Sequence, residues 1–525
     1  MLFTSAIFIG FLLCMFCLYY LVPKKTQWIL LLCGSYIFYG FAGLHFLAYI
    51  LTTTITTWFA AIQIQKVLNR QHTYMKEHKE ELSREEKKLY KASMKRKTKA
   101  IMLAALLLNL GILAVIKYTD FFISNINGAF GLNLEFFHFA LPMGISFYIF
   151  QSMGYLIDVY RDKQPAQQNI FKFGLFVSFF PQLVQGPISR YEDLGPELFK
   201  PHTFDLTQIT YGLQRILWGF FKKLVIADRM LSVVKVFIGA PEEYQGVYVL
   251  LTMFLYAIEL YADFTGGIDI TIGIAQVFGI RLTENFDRPF FSKNTAEYWR
   301  RWHITMGTWF RDYIFYPMSV SQPMLKFGKK SKALLGDHVG KRLPVYMTTA
   351  VTWFATGIWH GASWNFIVWG MLNCLVLIVS QELEPAYAWF HSKTSIGNTK
   401  IYGFFQIART FVLMSSIRVL DCYRDVPLTF KQIGTIFTTG NWNVLVDGSM
   451  LKFSLTVADY VILLVGVLLM ILVSIKHGKG SVREAIARRP YGFKFAVYAL
   501  LFIAILIFGA YGVGYDSSQF IYNQF

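Results

Sequence analysis

Two histidines stand apart in this chain. His360 lies in "TGIWHGASWNF" (356–366) and His303 in "EYWRRWHITMG" (297–307), each framed by tryptophan in a stretch apolar enough to lie at or in a bilayer. An imidazole titrates near neutrality, so it can take up a proton and return it. Ionisable groups inside lipid are costly and usually functional, and two such residues could converge on one proton-transfer site. The competing readings are a packed histidine that helps helices associate and a metal ligand. No cysteine or acid sits at ligand spacing from either histidine, which argues against the metal. Of the remaining histidines, His72, His78, His138, His202, His338, His391 and His477 fall in polar or loop-like stretches, and His45 follows a glycine at the entrance to an apolar run.

Acids also enter an apolar run. In "IELYADFTGGIDITIG" (258–273), Glu259 and Asp263 are four apart and share a helix face, with Asp269 beyond them. They need cationic partners to stay ionised. Arg190, Arg300 and Arg301 are the expected partners, a proton relay is the alternative, and the Gly266–Gly267 pair is expected to open the helix.

The elements that must position these groups are membrane helices. Hydrophobic residues make up 55% of the 525, charged residues only 16%, and the mean hydropathy is +0.42. A soluble chain carries about a quarter charged residues, so lipid replaces water around much of this one. Runs long enough to cross about 30 Å of hydrocarbon recur at 1–22, 27–42, 46–64, 100–117, 246–262, 401–420, 454–475 and 495–514, with more expected within 119–230 and 346–381. The fold class is therefore an all-α polytopic membrane protein, a single unit over 1–525, with about 11 crossings, some of them broken, and further spans over 382–525. The first run has no basic residue before it and no small-residue cleavage site after it, so it reads as a retained anchor.

Lys and Arg mark the cytoplasmic side. Residues 66–99 hold twelve Lys/Arg against five Glu and alternate sign at helical spacing, as a solvated helix or helical hairpin does. Residues 281–345 hold twelve Lys/Arg against five acids and include "NTAEYWRRWHITMGTWFRDYIF", whose aromatics and arginines suit an interfacial helix capped by Thr295. Both segments are expected to be cytoplasmic, and both chain termini outside. The +18 net charge is then an orientation signal, and no soluble basic domain offers itself to nucleic acid. "CMFC" at 14–17 lies inside an apolar span without a second pair to complete a zinc site, so Cys14, Cys17, Cys33, Cys374 and Cys422 read as small hydrophobes.

Four blocks in this order, "FFPQLVQGPISRYEDL" (179–194), "YADFTGGIDITIG" (261–273), "RPFFSKNTAEYWRRWHITMGTWFRDYIFYP" (288–317) and "TGIWHGASWNFIVWG" (356–370), resemble the membrane-bound O-acyltransferase family. The likeness is to its bacterial alginate O-acetyltransferase branch, whose ending the terminal "SQFIYNQF" resembles, and then to the teichoic-acid D-alanyl transfer proteins. The resemblance implies helices around a central funnel, with a cytoplasmic donor entrance and an outer acceptor entrance meeting at histidine. It implies that His360 is the catalytic histidine, taking the proton of the acceptor hydroxyl, and His303 a second one, which orients the acceptor or, if it can donate a hydrogen bond, helps to stabilise the oxyanion. Trp299, Trp302, Trp359 and Trp364 are then expected to exclude water, and Arg300, Arg301 and Arg311 to meet the phosphates of coenzyme A. Gln185, Arg190 and Asn365 complete the expected donor- and substrate-binding positions. Two departures are visible: "MSVSQPM" replaces a Leu-Gly-Gly turn after "DYIFYP", and "IRVLDCYRDV" (417–426) stands where relatives carry Phe-Phe-Arg-Ala, with Arg424 the corresponding position.

The function that follows is transfer of an acetyl group from a cytoplasmic thioester, acetyl-CoA or an acyl carrier, for O-acetylation of an extracellular or cell-wall polysaccharide. No metal or permanently bound cofactor is expected. The expected partners are membrane lipid, the polysaccharide acceptor and an extracytoplasmic serine esterase-like protein, in a bacterial cell membrane. D-alanyl transfer to teichoic acid is the alternative within the class, and a transporter or flippase the alternative outside it.

Overall fold

The computed structural model describes residues 3–453 and 455–511; the terminal "SQFIYNQF" and the expected outer position of Phe525 lie outside them. Among the described residues there is no strand beyond a single antiparallel bridge between Phe286 and Trp302. Seven helices among the described residues are long and apolar enough to cross a membrane: Leu44–Glu77, Arg84–Phe130, Val247–Val277, Trp364–Glu382, Lys400–Tyr423, Val457–His477 and Tyr491–Phe508. Shorter apolar helices, Ala6–Leu21 and Ile170–Gln185, accompany them, the latter broken at Phe179.

The chain divides into two compact units. The first comprises Met1–Ile209 with Ala275–Thr283. In it Leu47–Glu77 and Arg84–Phe130 form an antiparallel hairpin, as the alternating charges of 66–99 foretell. Ser83 starts the second arm: its side chain accepts from the Glu86 N–H and the Glu86 carboxylate accepts from the Ser83 N–H, a reciprocal cap. Buried beside the hairpin in the same unit, Gln182 donates to Gln151 and accepts from Ser189, and Gln151 donates to the Phe176 carbonyl. These amides satisfy polar atoms at the break between Ile170–Ser178 and Phe180–Gln185, where helical bonding is lost.

The second unit, Thr210–Ile274 with Glu284–Phe525, holds both histidines. Its longest buried span, Val247–Val277, runs unbroken through Gly266 and Gly267, correcting the expectation that this pair opens the helix. The glycines serve close approach instead. A Cβ at Gly219 would stand 2.6 Å from the Gly266 carbonyl oxygen, and one at Gly273 would stand 2.7 Å from that of Gly212. Two helix backbones thus touch at points two turns apart, a contact only small residues permit.

That contact sets the acids of the span against a π-helical turn, Phe221–Ala227, in the neighbouring segment. Lys223 Nζ meets Asp263 at 2.6 Å and Asp228 at 2.7 Å. Lys222 Nζ meets Asp269 at 2.6 Å, and Arg215 bridges Asp269 and Glu284. The cations that Asp263 and Asp269 meet are thus Lys222, Lys223 and Arg215 rather than the expected Arg300 and Arg301, of which Arg301 pairs with Glu297. The thiols divide: Cys374 and Cys422 are buried, while Cys14, Cys17 and Cys33 lie on the helix exteriors.

Candidate active site

The segment 284–319 folds as a set of short pieces rather than one interfacial helix. Helix Thr295–Arg301 is capped by Asn294, whose side chain accepts from the Glu297 N–H at 2.8 Å; Thr295 is its first turn and not its cap. The helix stops at Trp302, whose neighbour Phe286 pairs with it antiparallel through the Asp287 N–H and Arg301 carbonyl and the Ile304 N–H and Asn285 carbonyl. His303 is the hinge. Its backbone is left-handed, with φ of 48°, a conformation that costs any residue with a Cβ and is held only by surrounding bonds.

Those bonds come from Asn285. The Thr305 N–H and hydroxyl reach Asn285 Oδ1 at 3.0 and 2.9 Å, and His303 Nδ1 lies 3.2 Å from the same atom. A backbone N–H only donates, so the Asn285 atom it meets is the oxygen. That oxygen only accepts, so His303 Nδ1 carries the hydrogen and Nε2 is the ring's acceptor nitrogen. His303 is fully buried and lies outside the seven long spans. Burial first, and then the positive charge of Arg418, hold its imidazole below the ordinary value, so it works as a neutral ring.

His360 closes helix Gln322–His360. Gly361 follows in extended conformation, and a Cβ there would stand 2.3 Å from the Phe366 ring. The glycine therefore lets Phe366 fold back over the helix end, where its ring stacks on His360 at 6.2 Å. Asn365, in the same turn, donates to the Leu420 carbonyl at 3.3 Å and ties the turn to helix Lys400–Tyr423.

The two histidines belong to one closed circuit of side chains. His303 meets Trp359 at 6.0 Å, Trp359 meets His360 at 5.0 Å, and His360 meets Trp369 at 4.8 Å. Trp369 and Trp302 lie 5.2 and 4.7 Å from the Arg418 guanidinium, and Phe264, 6.1 Å from Trp302 and 4.9 Å from His303, completes the ring. Trp299 braces it by packing on Trp369 and donating Nε1–H to Asn373 Oδ1 at 3.2 Å.

Of the residues expected from sequence, His303, His360, Trp299, Trp302, Trp359 and Asn365 are brought together here. Trp364 is 56% exposed and stands outside the ring, contrary to its expected part in excluding water, because the helix beginning at Trp364 turns Phe366 and Trp369 inward instead. Arg300 is exposed, Arg301 pairs with Glu297 at 2.7 Å, and Arg311 pairs with Asp312 at 2.9 Å and lies over Tyr316. Gln185 and Arg190 belong to the first unit, Gln185 fully buried and Arg190 at the start of helix Tyr191–Phe199. Arg424 is an exposed left-handed helix cap; Arg418, unforeseen, is the buried arginine of that stretch. Phe264, Asn285, Trp369, Asn373 and Asp421 were likewise unforeseen. Arg418 had a legible signal, being a charge inside the apolar run 401–420.

A polytopic helical unit with two histidines on one aromatic circuit is what the comparisons with known proteins place in a class. Residues 31–420 match the membrane-bound O-acyltransferase family, and the chain belongs to it. It is an O-acyltransferase and a multi-pass membrane protein. The chain is 31% identical to the probable alginate O-acetylase AlgI of Pseudomonas syringae over 85% of its own length and 76% of the relative's. It is 29% identical to the peptidoglycan O-acetyltransferase of Helicobacter pylori over 71% of its length and 67% of that protein's. To the teichoic acid D-alanyltransferase of Streptococcus thermophilus it is 26% identical over 49% of its length and 60% of that protein's.

Proposed function

We propose that this protein moves an acetyl group from a cytoplasmic thioester, acetyl-CoA, toward a hydroxyl on an extracellular or cell-wall polysaccharide, with His360 as general base. The observation that carries the reading is the aromatic circuit that holds His303 and His360 together. An alcohol is a poor nucleophile while it keeps its proton. His360 takes that proton as the oxygen attacks the thioester carbonyl, and returns it to the thiolate when the C–S bond breaks. The imidazolium formed in between sits at the carboxyl end of a helix, where the last carbonyls favour positive charge by roughly 0.3–1 kcal/mol.

His303 has a different task. Its Nδ1–H is committed to Asn285, so the neutral ring presents Nε2 to accept a hydrogen bond from a second hydroxyl of the acceptor, which orients the sugar and leaves the proton of the reacting hydroxyl to His360. The indoles of Trp299, Trp302 and Trp359 keep water from the thioester. Arg300, Arg301 and Arg311 offer guanidinium groups to the phosphates of the donor.

The acetyl reading is favoured over D-alanyl transfer by the extent of likeness: acetyltransferase relatives match 71–85% of the chain and the D-alanyltransferase 49%. Transfer to the polymer calls for a partner. Between Tyr423 and Val457 the described residues form one helix, Val426–Thr438, and two short turns, too little for a polysaccharide groove. An outward-facing serine esterase-like protein supplies it.

Purified protein is given acetyl-CoA labelled in the acetyl group, with and without such a partner, and label on polysaccharide is counted. Transfer should need the partner and should fall by about 100-fold or more in His360→Ala at unchanged membrane abundance. Wild-type transfer by His360→Ala sinks the assignment of the base, and efficient transfer without a partner sinks the partner.

A further inference from the structure

Arg418 occupies an apolar stretch of helix Lys400–Tyr423, where a guanidinium is expensive unless its charge is held. The holding is partial. Nη1 donates to Asp421 Oδ2 at 3.1 Å, and the cation lies within cation–π reach of Trp302, Trp369 and Trp299 at 4.7, 5.2 and 5.7 Å. The Tyr298 hydroxyl is a further side-chain partner of the guanidinium, and the Tyr256 phenol lies within electrostatic reach of it. Yet Nε and Nη2 find no hydrogen-bond acceptor, although the residue is only 6% exposed. Buried guanidinium donors without acceptors are costly, and their retention at a site points to a ligand atom that satisfies them.

The position says which atom. Arg418 packs on Trp369, the indole that touches His360, and on Trp302, the residue before His303. Acyl transfer creates negative charge on the thioester carbonyl oxygen, and a centre of this kind needs donors aimed at it. His303 is unsuited, because its Nδ1–H is spent on Asn285. The Asn365 amide is also engaged, with Nδ2 on the Leu420 carbonyl.

We propose that Arg418 is a catalytic residue of the acyl-transfer centre, its Nε–H and Nη2–H donating to the thioester carbonyl oxygen and holding the charge that develops there. As the acceptor oxygen bonds to the carbonyl carbon, His360 takes its proton and the C=O π pair moves onto the oxygen facing Arg418. When that pair returns, the C–S bond breaks, and the leaving thiolate takes the proton from His360. Arg418 gains and loses no proton. Asp421 fixes the guanidinium through Nη1 and leaves the other edge for the oxyanion. The proposal rests on the reading of His360 as the base.

Arg418→Lys is the deciding variant, because it keeps the charge opposite Asp421 and the apolar stem but loses the Nε/Nη2 edge. With acetyl-CoA as donor, its kcat should fall about 100-fold while KM stays within about threefold, since the lost interaction exists only in the transition state. The neutral pair Arg418→Gln/Asp421→Asn, which leaves no buried charge, should lose the same factor with an unchanged melting temperature. Wild-type kcat in Arg418→Lys overturns the proposal whether or not the neutral pair folds. So does a loss in Arg418→Lys that appears as KM alone. If the wild-type protein itself turns over no acetyl-CoA, it is the donor reading that fails. Base-labile acyl groups on the envelope polymer of cells making each variant, normalised to membrane abundance, then decide the same question. Full acylation by Arg418→Lys cells overturns the role of Arg418, and a loss of about 100-fold supports it.

Discussion

Asn285→Ala removes a single oxygen that three donors share, and its cost can be worked from those bonds. The Thr305 N–H is left buried without an acceptor, at about 1–3 kcal/mol, and the Thr305 hydroxyl and His303 Nδ1–H each lose a bond worth about 1 kcal/mol. The Asn285 Nδ2 group, buried without an acceptor, disappears at the same time and returns about 1 kcal/mol. The net is about 2–4 kcal/mol of stability, visible as a lower melting temperature of the purified protein in detergent. The catalytic effect is separate. Without Oδ1, the proton of His303 is free to move to Nε2, and the bond that fixed it was worth about 1 kcal/mol, so acetyl transfer should fall about fivefold. The decisive assay is a double-mutant cycle. If Asn285 acts by orienting His303, then Asn285→Ala adds no further loss once His303 is alanine. Fully additive losses, or an Asn285→Ala rate below that of His303→Ala, would refute the reasoning.

Lys223→Met strands Asp263 and Asp228 as buried carboxylates and should cost about 3–5 kcal/mol, measured by thermal unfolding; Lys223→Met/Asp228→Asn/Asp263→Asn should recover most of it, and no recovery would mean that the charges are not the reason. Gly219→Val drives a side chain into the Gly266 carbonyl and should destabilise by about 1–3 kcal/mol, whereas Gly239→Val, where a Cβ meets nothing within 4 Å, should not. A single cysteine at Lys87, in an otherwise cysteine-free chain, should resist an impermeant thiol reagent in intact cells and react after lysis; labelling in intact cells would reverse the membrane orientation.

Much of the site was legible because membrane chains advertise what lipid cannot tolerate. His303 and His360 declared themselves as imidazoles among tryptophans, and the charged hairpin declared itself by alternating sign. What stayed hidden depends on which helices meet. Glu259, Asp263 and Asp269 demanded cations, but their spacing names only neighbours on the same helix; the cations that Asp263 and Asp269 meet, Lys222, Lys223 and Arg215, come from another segment through the Gly219–Gly266 approach. The same pair of glycines explains the error over the helix break, since a glycine that relaxes a backbone and one that admits a neighbour look alike in sequence. Asn285 was hidden for a related reason: it lies 18 residues before His303, in an unremarkable loop, and acquires its role only when that loop pairs with residues 301–304.

The Arg84–Phe130 helix has a length that hydrocarbon alone does not explain. At about 1.5 Å per residue its 47 residues extend about 70 Å, against about 30 Å for the apolar layer of a bilayer. The basic first part, residues 84–99, accordingly stands clear of the lipid beside the end of Leu47–Glu77, joined to it by the short turn at 78–82 and locked at its base by the Ser83 cap. Such a stalk is a ready handle. A rigid helical carrier spliced into the turn, in phase with both arms, would inherit their orientation, giving electron microscopy an alignment mark on a particle that detergent would otherwise leave nearly featureless.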